Sequence, residues 1–162
     1  MERIVKYGGK LFFGSLIICI LSFFYFKLIP YGEVSNLIGY LFLEIFLGYN
    51  FYVGYKYRLN LKEAFTVGIL GSSFGIFLLF FASYTHYVID EAYWAIWMMQ
   101  FYFMPTMSFI TDFSVNVSLG YVVFLINFSV LLVVLGAVFS FLKEKLISFK
   151  QKSSLFVYKD FL

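Results

Sequence analysis

Long apolar runs alternate with short polar breaks along this chain, and the lengths of the runs predict its elements. The first run covers about 7–29 and closes at Pro30-Tyr31-Gly32, a turn signal. The second covers about 34–55 and ends at Lys56-Tyr57-Arg58. The third, about 64–87, follows Lys62-Glu63, and the last, about 115–141, stops at Lys143-Glu144-Lys145. Each has the roughly twenty or more residues that carry a helix, at about 1.5 Å per residue, across about 30 Å of hydrocarbon. A further run between Asp90-Glu91 and Asp112 holds 20 residues without a charge, with both tryptophans and four of the five methionines. Its composition is that of a span.

The basic residues decide against a fifth span. With four spans, eleven of the twelve Lys and Arg side chains fall on one face and only Lys27 on the other. That bias places the eleven, and both termini, in the cytoplasm. A fifth span over 92–111 would split them six against six, and no basic residue lies between Lys62 and Lys143. The run at 90–113 is therefore expected outside. A helix lying in the interface needs a polar face. Here Gln100 is flanked at helical spacing by Ile96, Trp97, Phe103 and Met104, so no such face exists. Pro105 breaks a helix and suits a dip-and-return path, and Trp94 and Trp97 suit headgroup level.

The predicted fold is an all-α membrane protein: a four-transmembrane-helix bundle with an external hydrophobic re-entrant or interfacial segment between helices 3 and 4. Two roles stay open for that segment. It is either an aromatic lid packed on its own bundle, or a partner surface built from Trp94, Trp97, Met98, Phe101 and Met104.

Composition supports the membrane class. A hydrophobic share of 62% exceeds the roughly 45–50% of a soluble domain, and 162 residues make a single domain. Cys19 is the only cysteine, so neither an intramolecular disulfide nor a cysteine metal cluster is expected. Lys27 and Pro30, not a small-residue cleavage site, follow the first apolar run, which is expected to be retained. The tail, 143–162, mixes five lysines with Leu146, Ile147, Phe149, Phe156 and Tyr158. It is expected either to lie on an anionic cytoplasmic leaflet or to fray. Its lysines flank and orient a span, so nucleic-acid binding is not expected.

Lys6-Tyr7-Gly8, YGEVSNLIGYL at 31–41, EAFTVGILGS at 63–72 and HYVIDEAYW at 86–94 follow one another in a distinctive order. In these stretches the chain resembles an uncharacterised family of small four-helix bacterial inner-membrane proteins. The resemblance implies the same four-span topology and a bacterial inner-membrane location; it implies no activity. Members of that family carry a polar external segment between spans 3 and 4, whereas 92–111 here has no charge.

Candidate chemistry is sparse. Glu44 stands at the middle of span 2, where a carboxyl is costly and is expected to face the bundle interior. Ser72, Ser73 and Asn127 come to about the same depth, as do Cys19, Ser22 and Ser129, with Tyr40 and Gly48 one turn either side of Glu44. This layer reads either as a proton or small-cation site or as a ring of interhelical hydrogen bonds, each contributing about 0.6 kcal/mol. Gly71-Ser72-Ser73-Phe74-Gly75 has the spacing of a hydrolase elbow, but that motif needs a strand-to-helix turn. It reads better as small-residue packing by Gly68, Gly71 and Gly75. His86 and Asp90, four apart, form at most a weak polar pair; no metal site and no cofactor are expected. The leading expectation is a non-enzymatic accessory or assembly subunit of a larger membrane complex, with lipid, other membrane proteins or copies of itself as partners. The alternative is a small proton- or cation-coupled transporter or channel centred on Glu44.

Overall fold

The computed structural model describes the backbone of residues 1–30, 32–115 and 117–159, and side chains through 147 except those at 31, 92, 93 and 116. Among these residues every regular element is helical. In chain order they are α1 (Glu2–Leu28), α2 (Glu33–Lys56), α3 (Leu61–Gly71), α4 (Ser73–Tyr87), α5 (Ala92–Phe103), a 3-10 turn (Met104–Thr106), α6 (Met107–Asp112) and α7 (Leu119–Lys159). Three helices are long and apolar enough to cross a membrane: α1, α2 and the Leu119–Ile147 part of α7. The tail expected from 143 starts as the continuation of α7 and not as a separate element. Its side chains from 148 lie outside the described residues.

The third predicted run is not one straight helix. α3 and α4 meet at Ser72 with a bend of 52°, and together they pass as a fourth crossing only if the bent pair counts as one. The cause is local. Gly68, Gly71 and Gly75 crowd the break, and Ser73 Oγ donates back to the Leu70 carbonyl at 2.7 Å, a bond that bends helices. α3 itself starts cleanly at a capping box. Asn60 Oδ1 accepts from Glu63 N–H at 2.8 Å, and Glu63 Oε2 accepts from Asn60 N–H at 3.1 Å.

α2 and α7 run parallel and form the closest helix pair. A Cβ at Gly54 would strike the Val133 carbonyl, and one at Gly136 would strike the Phe51 carbonyl. Glycines at these two positions let the backbones touch, which in an apolar solvent is the main source of helix association. The three glycines of the bent pair are used differently. Gly68 abuts Val130 of α7, Gly71 abuts Leu11 of α1, and Gly75 abuts the Tyr102 ring of α5. The expected single packing stripe is thus three contacts with three different elements: Gly68 and Gly71 share α3 yet touch α7 and α1, and Gly75, beyond the bend, touches α5.

Two apolar cores result. One, near the α1 start, gathers Leu11, Val53, Ala64, Val67, Val133 and Ala137. The other surrounds α5, with Met99, Tyr102 and Phe103 packed on Phe46, Ala82, Val122 and Leu125.

Candidate functional site

Residues 92–112 pack as two short helices, α5 and α6, joined by a 3-10 turn. α5 runs back along α4: Ala95 and Met99 sit beside His86 and Tyr87, and Tyr102 sits beside Gly75. At Pro105, which has no N–H to continue the ladder, the chain turns through Met104–Thr106. α6 then returns along α2. The apex is anchored on α7, where Tyr121 Oη donates to Thr106 Oγ1 at 2.9 Å.

A small polar cluster surrounds the inner end of α5. The Tyr102 hydroxyl approaches those of Ser72 and Ser129, and Cys19 Sγ–H donates to the Tyr102 carbonyl at 3.8 Å. Cys19, Ser72, Tyr102 and Ser129 are all buried. Toward Ser129 the approach falls short of hydrogen-bond geometry, since Ser129 Oγ is buried without a partner. The arrangement contains no carboxylate and no imidazole. Its chemistry is that of packing: a tyrosine whose ring fills the space beside Gly75 and whose polar tip is met by hydroxyls.

A second set of bonds fastens α6. Asn36 Nδ2 donates to both Asp112 oxygens at 2.9 Å, Tyr40 Oη donates to Asp112 Oδ2 at 2.8 Å, and Ser108 Oγ donates to the Asn36 carbonyl at 2.9 Å. Gly39 makes room, because a Cβ there would strike Ser108 Oγ. Asp112, expected only to mark the end of the segment, binds it to α2 together with Ser108.

The polar layer read from depth is only partly assembled. Ser72 joins the cluster, and Tyr40 joins Asp112 instead of Glu44. Ser73 is spent on its own helix at the Leu70 carbonyl. Asn127 is exposed, its Nδ2 donating to Val123 O of its own helix at 2.8 Å. Glu44 does not face the interior, as expected from its depth, but is exposed on the outer side of α2. The reason is azimuth: Phe46, Asn50 and Val53 take the inward side, and two residues back from Phe46 is about 200° round the helix. Among the described residues Glu44 has no hydrogen-bond or ion-pair partner.

The aromatic surface also divides. Trp94 and Trp97 are exposed and meet edge to face at 5.6 Å; Trp97 leads to Phe101 at 6.2 Å, and Phe101 stacks on Phe23 of α1 at 4.1 Å. Met98 is half-buried, while Met104 is buried at the apex and leaves the surface set, since the turn points it inward. His86 and Asp90 do not share a helix face. α4 ends at Tyr87, and Asp90 lies beyond it with φ 61°, in the left-handed region an aspartate tolerates. His86 instead borders an open cavity of about 360 Å³ with Met99, Val117 and Leu119. Among the described residues no group of three His, Cys, Asp or Glu side chains is placed to hold a metal.

Tyr102 and Asn36 were not legible as site residues. The available signal for Tyr102 was its place three residues before Pro105, where a segment that turns back is deepest and a hydroxyl needs a partner. At the basic end, Tyr7 stacks on Tyr57 at 4.1 Å, Lys10 lies over the Tyr57 ring at 5.2 Å, and Tyr49 Oη donates to the Lys10 carbonyl at 2.9 Å. These contacts close the cytoplasm-predicted end of α1 against α2.

Comparison of the chain with protein-family models, with curated proteins and with solved structures finds no match.

Proposed function

We propose that this chain is a non-enzymatic accessory or assembly subunit of a larger membrane complex. In this reading it is a bacterial inner-membrane protein of four spans, the bent α3–α4 pair being the third, with both termini in the cytoplasm. The α5–α6 segment is re-entrant from the outside. The observation that carries the role is the aromatic ladder from Trp94 through Trp97 and Phe101 to Phe23, whose outer members are exposed although the segment's other side is packed. Large rings held in place by a packed helix are good anchors for a partner, because little side-chain freedom is lost on contact.

Transport through a single bundle finds less support, since it needs Glu44 inside and Glu44 is exposed on the outer side of α2. The test is extraction of the tagged chain in mild detergent. Other membrane proteins are expected to co-purify in fixed ratio and to be lost with Trp94→Ala/Trp97→Ala. Recovery of the chain without companions, with both indoles already shielded from quencher, overturns the reading.

A further inference from the structure

Two polar side chains stand outward at one level of the bundle, on different faces. Gly54 is matched to α7 at Ala137, whose backbone N lies 3.1 Å from the place of a Gly54 Cβ. Ten residues back along each of these parallel helices are Glu44 and Asn127, so the two are within about one residue of the same level. Yet they do not meet within one chain. Asn127 is nine residues from Gly136, the α7 glycine that touches α2; that is about two and a half turns, which puts it on the far side of α7. Glu44 lies opposite the buried Phe46 on α2. Both sit in the middle of helices long and apolar enough to cross a membrane.

Their chemistries are complementary. Asn127 uses one N–H on the Val123 carbonyl of its own helix, which leaves a second N–H and the amide oxygen. A carboxylic acid and a primary amide exchange two hydrogen bonds: the acid O–H donates to the amide oxygen, and the amide N–H donates to the acid carbonyl. In hydrocarbon neither group finds water, so each is left unsatisfied until such a partner arrives. Gly48, one turn along the same outward face from Glu44, presents open space where a Cβ would meet nothing in this chain. A neighbouring helix can therefore come close beside the carboxyl.

We propose that copies of this chain associate side by side in the bilayer, with Glu44 of one copy paired to Asn127 of the next. The contact pairs unlike residues: it closes a two-fold dimer if both pairs form between the same two copies, and builds rings or open chains if each copy uses its two residues on different neighbours. The proposal rests on the spanning assignment of α2 and α7 but not on the accessory role.

The experiment is purified full-length chain in lipid vesicles of defined protein-to-lipid ratio, with self-association read by energy transfer between labelled copies as lipid dilutes them. Concentration-dependent association is expected. Glu44→Leu and Asn127→Leu should each weaken it about tenfold, as loss of two interhelical bonds predicts, and the double variant should be no weaker than either single. Gly48→Leu should weaken it by closing the approach. Monomeric protein at every dilution, or association untouched by both Leu variants, overturns the proposal. Cysteine cross-linking supplies the geometry with the buried Cys19 kept in place. A copy carrying Leu41→Cys should cross-link to a copy carrying Phe124→Cys, each about one turn from the intact pair on an exposed position, with little linkage between like copies. Exclusive linkage of Leu41→Cys to itself overturns the unlike pairing. A chain that stays monomeric in vesicles but co-purifies with other membrane proteins loses this proposal and keeps the accessory role; association in vesicles without companions in extracts does the reverse.

Discussion

Ser129 and Asn127 are two residues apart on α7, both polar and at nearly equal depth, but the structure treats them in opposite ways. Ser129 is buried against Tyr102, while Asn127 is exposed and bonded only to its own helix. Phe46 and Glu44 repeat the contrast on α2, with the phenyl ring inside and the carboxyl group outside. A polar residue at mid-span is therefore no marker of the bundle interior. Two residues are more than half a turn, so depth and direction are independent. The inner set packs inside this bundle, and Glu44 and Asn127 are exposed on its outside.

Substitutions can break that contrast, and Tyr102→Ala should have the largest effect. It empties a fully buried ring position beside Gly75 and should cost about 3–4 kcal/mol, read from unfolding in micelles. If it costs no more than Glu44→Ala, the division between inner and outer sets fails. Asp112→Ala comes next, because it removes the acceptor of Asn36 and Tyr40. Bonds to a carboxylate suggest about 1.5–3 kcal/mol, with faster amide exchange over 107–112 than in α7. Arg58→Ala breaks the 2.8 Å pair with Glu144, both well exposed, and should cost under about 1 kcal/mol, diminishing further in high salt. Smallest of all, Glu44→Gln and Ser129→Ala should each leave the stability of the single chain within about 0.5 kcal/mol. For Ser129 the reason is specific: its Oγ has no hydrogen bond to lose. A large loss with Ser129→Ala would show that the Tyr102 hydroxyl depends on it.

Much of the architecture was legible because apolar run length is a one-dimensional property. The α1, α2 and α7 segments follow from it, and the break at Pro105 follows from a missing N–H. The bend at Ser72 was half-legible. Its glycines and serines were visible as a cluster, but their reading as one packing stripe assumed a straight helix. The close approach of α2 and α7 at Gly54 and Gly136 was missed, since each is a lone glycine whose partner, Val133 or Phe51, lies 79 or 85 residues away. Asp112 was seen only as a boundary charge, because its partners come from α2 and nothing in its own segment announces them.

By itself the sequence determined which stretches are apolar enough to leave water and how deep each polar residue lies along its run. Those are local sums over neighbours in the chain. Which way Glu44, Asn127, Ser72 and Ser129 point was decided only by tertiary structure. Direction is set by which helix approaches which side, and that depends on backbone contacts at Gly54 and Gly136 and on the seat of Tyr102 at Gly75.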